Sequence, residues 1–316
     1  MDNQPAVSFI IPVYNETEVF ASLIERMDEL IAKMDEICEV VLIDDGSKDN
    51  TAQLMEALAL KDPKYHCVFL SRNFGHQKAL SAGLDSAKGD LIMLLDADLQ
   101  DPPELFFDFK KIIEEGYDIV YGVRRKRKES FLKKLAYNSF YRLINQISNY
   151  PIPKDSGDFG MITRPVLNAI NANREESRFL RGIRSWVGFK QVGFEYERQA
   201  RAAGDTKYTL SKMFKLAMDG IFNYTTLPIK LLSVFGTICI IGSLIYFALT
   251  LFKKYMYGDV PTGFTALLFA VILFGGFQLL SLGIIGEYIQ RIFFQVKERP
   301  LYIIKNKIIN GQKVNE

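Results

Sequence analysis

The chain has 316 residues, with 39 Lys and Arg against 37 Asp and Glu, a formal net charge of +2. That length accommodates one catalytic domain plus an appendage, and the near-balance of charge argues against a nucleic-acid binder. The three cysteines show neither zinc-ligand spacing nor a disulfide framework, so they fit a reducing compartment.

In chain order, residues 6 to about 125 alternate strand and helix patterns. Val7–Val13 reads as a strand, Thr17–Met34 as a helix, and Val40–Ile43 as a second strand ending at Asp44-Asp45-Gly46-Ser47. A helix from about Asn50, the strand Cys67–Leu70 and a helix over Gln77–Ala87 follow. The apolar run Leu91–Leu95, bounded by Gly89-Asp90 and by Pro102-Pro103, reads as a buried parallel strand delivering Asp96-Ala97-Asp98. Repeated strand–helix units predict an α/β fold with a mainly parallel sheet.

After Tyr121 the character changes. Arg124–Lys128 is a basic run, read as a solvated loop or one that meets anionic headgroups. Phe131–Ile147 and Leu210–Phe222 carry apolar residues at helical spacing with lysines and arginines between them, and are expected as interfacial helices, about 131–147 and 210–222. His66 and His76, the two histidines, are read as surface or packing residues.

Leu231–Phe252 and Pro261–Gly286 contain no charged residue. Each reaches the ~20 helical residues that cross a hydrocarbon core, so spans are expected at about 229–252 and 262–286. A short loop joins them into a hairpin over residues 227–290. Lys207, Lys212, Lys215 and Lys230 precede it, and Arg291, Lys297, Arg299, Lys305 and Lys307 follow. That basic excess places both ends in the cytoplasm, although Lys253 and Lys254 in the outer loop weaken the bias. The N-terminus lacks a signal-peptide pattern, so a cytoplasmic domain over 1–226 and a basic cytoplasmic tail over 291–316 complete the expected plan. Gly263, Gly275, Gly276 and Gly283 allow the hairpin to pack against copies of itself.

Three carboxylate-bearing loops at strand ends form a crevice. Pro12-Val13-Tyr14-Asn15-Glu16 ends the first strand, Asp44-Asp45 the second and Asp96-Ala97-Asp98 the fourth. Ligands of parallel sheets bind at the carboxyl ends of strands, and two carboxylates there hold a hard divalent cation while leaving positions for phosphate oxygens. Taken singly, each loop also reads as a turn that caps the next helix. Arg198-Gln199-Ala200-Arg201 and Gly204-Asp205-Thr206-Lys207-Tyr208 bring guanidinium and ammonium groups that suit a phosphate.

These segments, with Leu70-Ser71-Arg72-Asn73-Phe74-Gly75, Asp96 to Glu104 and Arg198 to Tyr208, resemble glycosyltransferase family 2, in particular its polyprenyl-phosphate branch. The resemblance covers nearly the whole chain. It implies a GT-A fold and a nucleotide-sugar donor, with Pro12, Tyr14, Glu16 and Asp44 lining the nucleoside pocket and Asp96 on the sugar or ribose side. Asp98 with Gln100 would bind Mg²⁺ or Mn²⁺. Arg198, Arg201 and Lys207 would hold the acceptor phosphate. Asp158 matches a position that often carries a base in relatives, while Gly160 stands where many have Arg; a phosphomonoester with a second pKa near 6 needs no strong base, so Asp158 is expected to orient the acceptor or a sugar hydroxyl. The implied activity is inverting transfer of a hexose, first from UDP-glucose, to a polyprenyl phosphate such as undecaprenyl phosphate at the inner face of the cell membrane. A processive polysaccharide synthase is disfavoured because Trp186, the one tryptophan, lacks that class's motif. An inactive scaffold is disfavoured because Asp44, Asp96 and Asp98 are all present.

Overall fold

The computed structural model describes residues 4–125, 156–176, 178–197, 227–257 and 263–314. The chain divides into two units: one holds the sheet, its helices and the residues from Arg299 onward, the other the two longest helices. The expected interfacial helices over 131–147 and 210–222 lie outside the described residues.

In the first unit the elements are β1 (Val7–Val13), α1 (Thr17–Ile31), β2 (Cys38–Asp44), α2 (Thr51–Lys61), β3 (Tyr65–Leu70), α3 (His76–Ser86), β4 (Leu91–Leu94), α4 (Phe106–Glu114) and β5 (Ile119–Arg125). Then come β6 (Ser156–Thr163), α5 (Arg164–Ala172), α6 (Leu180–Trp186) and β7 (Gln191–Glu197). The second unit holds α7 (Leu227–Tyr257) and α8 (Phe264–Val296), after which β8 (Ile304–Ile309) and β9 (Gln312–Val314) return to the first.

Among the described residues the strands form one sheet in the order β7-β5-β6-β4-β1-β2-β3-β8-β9. The central β4-β1-β2-β3 pairs are parallel, as the βα alternation predicts. The flanks differ: β6 runs antiparallel to both β4 and β5, and β8 antiparallel to β3.

Side chains alternate across this sheet. Phe9, Ile11 and Val13 of β1 pack with Leu23, Met27, Met55 and Phe106 on one face, and Ile10 packs with Ile43, Leu80 and Leu84 on the other. Helix α1 buries Val19, Phe20, Leu23, Met27 and Leu30, a 3–4 spacing that lays one stripe on the sheet. Helix α3 approaches so closely that a Cβ at Gly83 would stand 2.3 Å from Ile10 Cγ2 and 2.7 Å from Ile43 Cδ1. Glycine there lets the helix carrying His76 lie against β1 and β2.

Two expectations are corrected. The residues after Pro300 are a sheet edge rather than a free basic tail: Ile308 pairs with Cys67, Leu70 with Ile304, and Ile308 is fully buried. An open β3 would expose a row of unpaired backbone groups, and β8 satisfies it; Asn306 between the apolar Ile304 and Ile308 masks the strand pattern. Likewise Arg124 and Arg125 end β5 rather than starting a solvated loop, in register with Tyr196 and Glu197 of β7.

Helices α7 and α8 have 31 and 33 residues. Both are long and apolar enough to cross a membrane, and leave Ile238, Leu244, Phe247 and Leu279 exposed. Helix α8 continues past the expected end at Gly286, helped by an i,i+4 pair between Glu287 and Arg291 at 2.8 Å.

Candidate active site

The site residues gather where β4, β1 and β2 end side by side. After β1 the chain turns through Asn15, whose φ of 54° suits a short polar side chain. Asn15 N–H donates to Ser47 Oγ at 3.0 Å, and Lys48 N–H donates to Asn15 Oδ1 at 2.8 Å. Glu16 N–H donates to Thr51 Oγ1 at 3.0 Å. The loops bearing Tyr14 and Glu16 and the loop bearing Asp44 are thus laced together, beside buried Pro12.

Asp44 and Asp45 have different tasks. Asp44 is buried and accepts Ser47 N–H at 3.1 Å. Asp45 accepts Phe74 N–H at 2.7 Å and Gly75 N–H at 3.0 Å, so its carboxylate ties down the loop after β3. Burial pushes the Asp45 carboxyl pKa up despite those two donors. Gly46 has φ of +68°, and a Cβ on it would lie 2.5 Å from the Arg72 carbonyl carbon, so both conformation and space demand glycine.

Asp96 follows β4. His76 Nε2 stands 3.6 Å from Asp96 Oδ1 and 3.6 Å from Asp158 Oδ2, placing the imidazole between two carboxylates. Asp158, on β6, accepts Arg181 Nε–H at 3.0 Å, Arg181 Nη2–H at 3.2 Å and Gln77 Nε2–H at 2.8 Å. Gln77 in turn accepts Leu180 N–H at 2.8 Å, which docks α6 on the start of α3. Burial favours the neutral acid at Asp158, but the Arg181 guanidinium and His76 overrule it and hold the carboxyl well below the usual carboxylate range. At His76 burial opposes the charged ring, and the two carboxylates outweigh it and raise its pKa. Asp96, unlike Asp158, shifts upward: burial raises its pKa, His76 opposes that, and Asp101, Asp158 and Asp98 reinforce it. Arg184 is buried with its guanidinium 4.5 Å above the Tyr121 ring.

The loop after Asp96 is braced from within. Gln100 N–H donates to Asp98 Oδ1 at 3.2 Å, and Arg26 forks onto Glu104 at 2.7 and 2.8 Å. Asp101 is buried and accepts the Tyr196 hydroxyl and, at 3.4 Å, Arg124 Nη2–H.

The donors suit a hard divalent ion. Asp98 and Gln100 carry carboxylate and amide oxygens two residues apart in one turn, the donor type that such an ion takes. No group of three or more His, Cys, Asp or Glu converges as a complete cage among the described residues.

The structure places Pro12, Tyr14, Glu16 and Asp44 at the ends of β1 and β2, and Asp96, Asp98 and Gln100 after β4, the strand beside β1; His76 links Asp96 to Asp158 of β6. Arg198, Arg201 and Lys207 lie outside the described residues. Sequence reasoning did not single out the contacts of Gln77, Arg181, Asp101, Arg124 and Tyr196; His76 is exposed, as a surface residue is expected to be, and it also stands between Asp96 and Asp158. The remaining histidine, His66, does pack, with Nδ1 2.9 Å from Glu39 and Nε2 3.0 Å from Asn310. The one available signal was His76 lying directly after the Leu70–Gly75 segment.

Residues 8–170 match the model of the family described as glycosyl transferase family 2. The uncharacterized glycosyltransferase YkcC of Bacillus subtilis is 43% identical over 299 residues, covering 94% of this chain and 93% of its own. The prophage bactoprenol glucosyl transferase homolog of Escherichia coli is 38% identical over 303 residues, with 95% and 98% covered. The bactoprenol glucosyl transferase of Shigella phage SfV is 38% identical over 305 residues, again with 95% and 98% covered. Among solved structures, Mycobacterium tuberculosis glucosyl-3-phosphoglycerate synthase with Mn²⁺, UDP and glucosyl-3-phosphoglycerate aligns at a TM-score of 0.46 and 18% identity, covering 69% of this chain and 78% of that one.

Proposed function

The chain belongs to glycosyltransferase family 2, and from that membership we propose that it moves a hexose, glucose from UDP-glucose first among donors, onto a polyprenyl phosphate at the cytoplasmic face of a membrane. The observation that carries this reading is the presence in one chain of an acidic strand-end crevice and two helices long and apolar enough to span a bilayer. Near-full-length relatives named as bactoprenol glucosyl transferases support it. In this reading residues 1–226 form the cytoplasmic enzyme, and α7 and α8 cross the inner membrane as a hairpin.

The chemistry is one displacement. An acceptor phosphate oxygen attacks the anomeric carbon, the bond from that carbon to the diphosphate oxygen breaks, and its electron pair leaves with the nucleoside diphosphate; the anomeric centre inverts. The acceptor phosphate is already largely ionised near neutral pH, so no strong base is required. Pro12, Tyr14, Glu16 and Asp44 bind the nucleoside, and Asp96 faces the sugar. Asp98 and Gln100 would hold Mg²⁺ or Mn²⁺, which supplies Lewis-acid stabilisation of leaving-group charge. Asp158 holds His76 and Arg181 rather than taking a proton, and Arg198, Arg201 and Lys207 receive the acceptor phosphate.

The test is transfer by the purified full-length protein in detergent, with undecaprenyl phosphate, Mg²⁺ or Mn²⁺, and a panel of nucleotide sugars. A mild-acid-labile glycolipid from UDP-glucose is the expected product. Transfer to a growing glycan, with none to any polyprenyl phosphate, overturns the reading.

A further inference from the structure

The turn that follows β4 carries strain. Leu99 has φ of 56°, a left-handed conformation that costs a bulky apolar residue and persists only where its surroundings impose it. Leu99 sits between Asp98 and Gln100, and this bend lets Gln100 N–H reach Asp98 Oδ1. Arg26 braces one side through Leu99 O at 3.4 Å and through Glu104. On the other side is Asp101, whose side chain is fully buried.

A buried carboxylate is tolerated only with donors around it. Asp101 has the Tyr196 hydroxyl and Arg124, and Arg124 Nε is itself 3.4 Å from the Tyr196 oxygen. The three groups close on one another because β5 and β7 place Arg124 opposite Tyr196. The strand below makes room: a Cβ at Gly122 would stand 2.7 Å from both the Tyr196 and Phe159 rings. The Tyr196 ring packs edge-on to Phe159 at 5.3 Å, so its hydroxyl is aimed by packing that does not depend on Asp101.

We propose that Tyr196, with Arg124, is a positioning residue for the donor side of the site: by gripping Asp101 it holds the Leu99 turn in the form that presents Asp98 and Gln100 together to a cation and a nucleoside diphosphate. The inference rests on the donor reading given above. Tyr196 acts through Asp101, and its contribution is to preorganise the turn before ligand arrives.

Tyr196→Phe removes the hydroxyl and keeps the ring. In the full-length protein in detergent, two measurements test it: hydrogen–deuterium exchange of the segment 96–105, and UDP affinity with and without Mn²⁺. Loss of one bond to a charged acceptor is expected to speed exchange in that segment about tenfold, and to cut the Mn²⁺-dependent gain in UDP affinity about tenfold. UDP affinity without Mn²⁺ stays within about twofold, and exchange in β1 and β2 is unchanged. Arg124→Lys, which keeps the charge and loses the fork, is expected to give the same pattern more weakly. Unchanged exchange over 96–105 overturns the proposal. So does an equal loss of UDP affinity with and without Mn²⁺, which makes Tyr196 a general packing residue. A wild-type protein whose UDP affinity gains nothing from Mn²⁺ or Mg²⁺, whatever the exchange shows, overturns the donor reading itself and the proposal with it.

Discussion

Asp158 accepts from Arg181 and Gln77, and His76 Nε2 stands 3.6 Å away, so its lone pairs are engaged and its affinity for a proton is low. A general base contributes typically ~10²–10⁴-fold, whereas a carboxylate that orients its neighbours contributes less. Asp158→Asn is therefore expected to keep about a tenth of the wild-type kcat; a fall below about a thousandth restores the base role. The same substitution has a signature in stability. The folded pKa of Asp158 lies below its unfolded value of about 3.9. Its contribution is thus present above that value and lost as pH falls toward the folded one. Melting temperatures of wild type and Asp158→Asn should differ by a constant amount above about pH 5 and converge below about pH 4. Asp98→Ala removes an oxygen donor from a half-buried turn, and is expected to abolish metal-stimulated turnover while leaving the melting temperature within a few degrees. Asp98 was legible in the sequence because its motif is contiguous. Arg181 was not, because its partner Asp158 is on another element and nothing local marks the pair.

Among the elements, β8 is poorly legible in the sequence yet covers the β3 edge of the sheet. Its apolar face, Ile304 and Ile308, is interrupted by Asn306, yet Ile308 is fully buried opposite Cys67. Tyr302, just before it, donates its hydroxyl to Asp85 at 2.5 Å, and Ser71 N–H donates to Ile303 O at 2.9 Å. Ile308→Ala is expected to cost about 2–4 kcal/mol, read as an earlier denaturant midpoint for the sheet domain. The contiguous parallel strands were legible because each is a short apolar run between turn signals. The antiparallel β6 and the parallel pairing of β5 with β7 were not, since pairing partners far apart in sequence leave no local trace.

For the whole molecule, the order of elements matters more than their number. The chain leaves the sheet unit, forms α7 and α8, and returns with β8 and β9. A protein ending before residue 227 therefore lacks two strands of the sheet and exposes the β3 edge, and is expected to aggregate. Replacing residues 227–298 with a flexible linker retains β8 and β9; it is expected to give a soluble protein that binds UDP but no longer uses a lipid acceptor. Recovery of a well-behaved monomer from the simple truncation contradicts this account. By itself the sequence determined the α/β alternation, the acidic loops at the strand ends and the two apolar helices, because each is written in a contiguous run with its own period or composition. Only the tertiary structure decided that His76 stands between Asp96 and Asp158, that Asp101 is gripped by Arg124 and Tyr196, and that the last residues complete the sheet. Those contacts join residues from separate elements, and the close packing of strands and helices alone brings them within bonding distance.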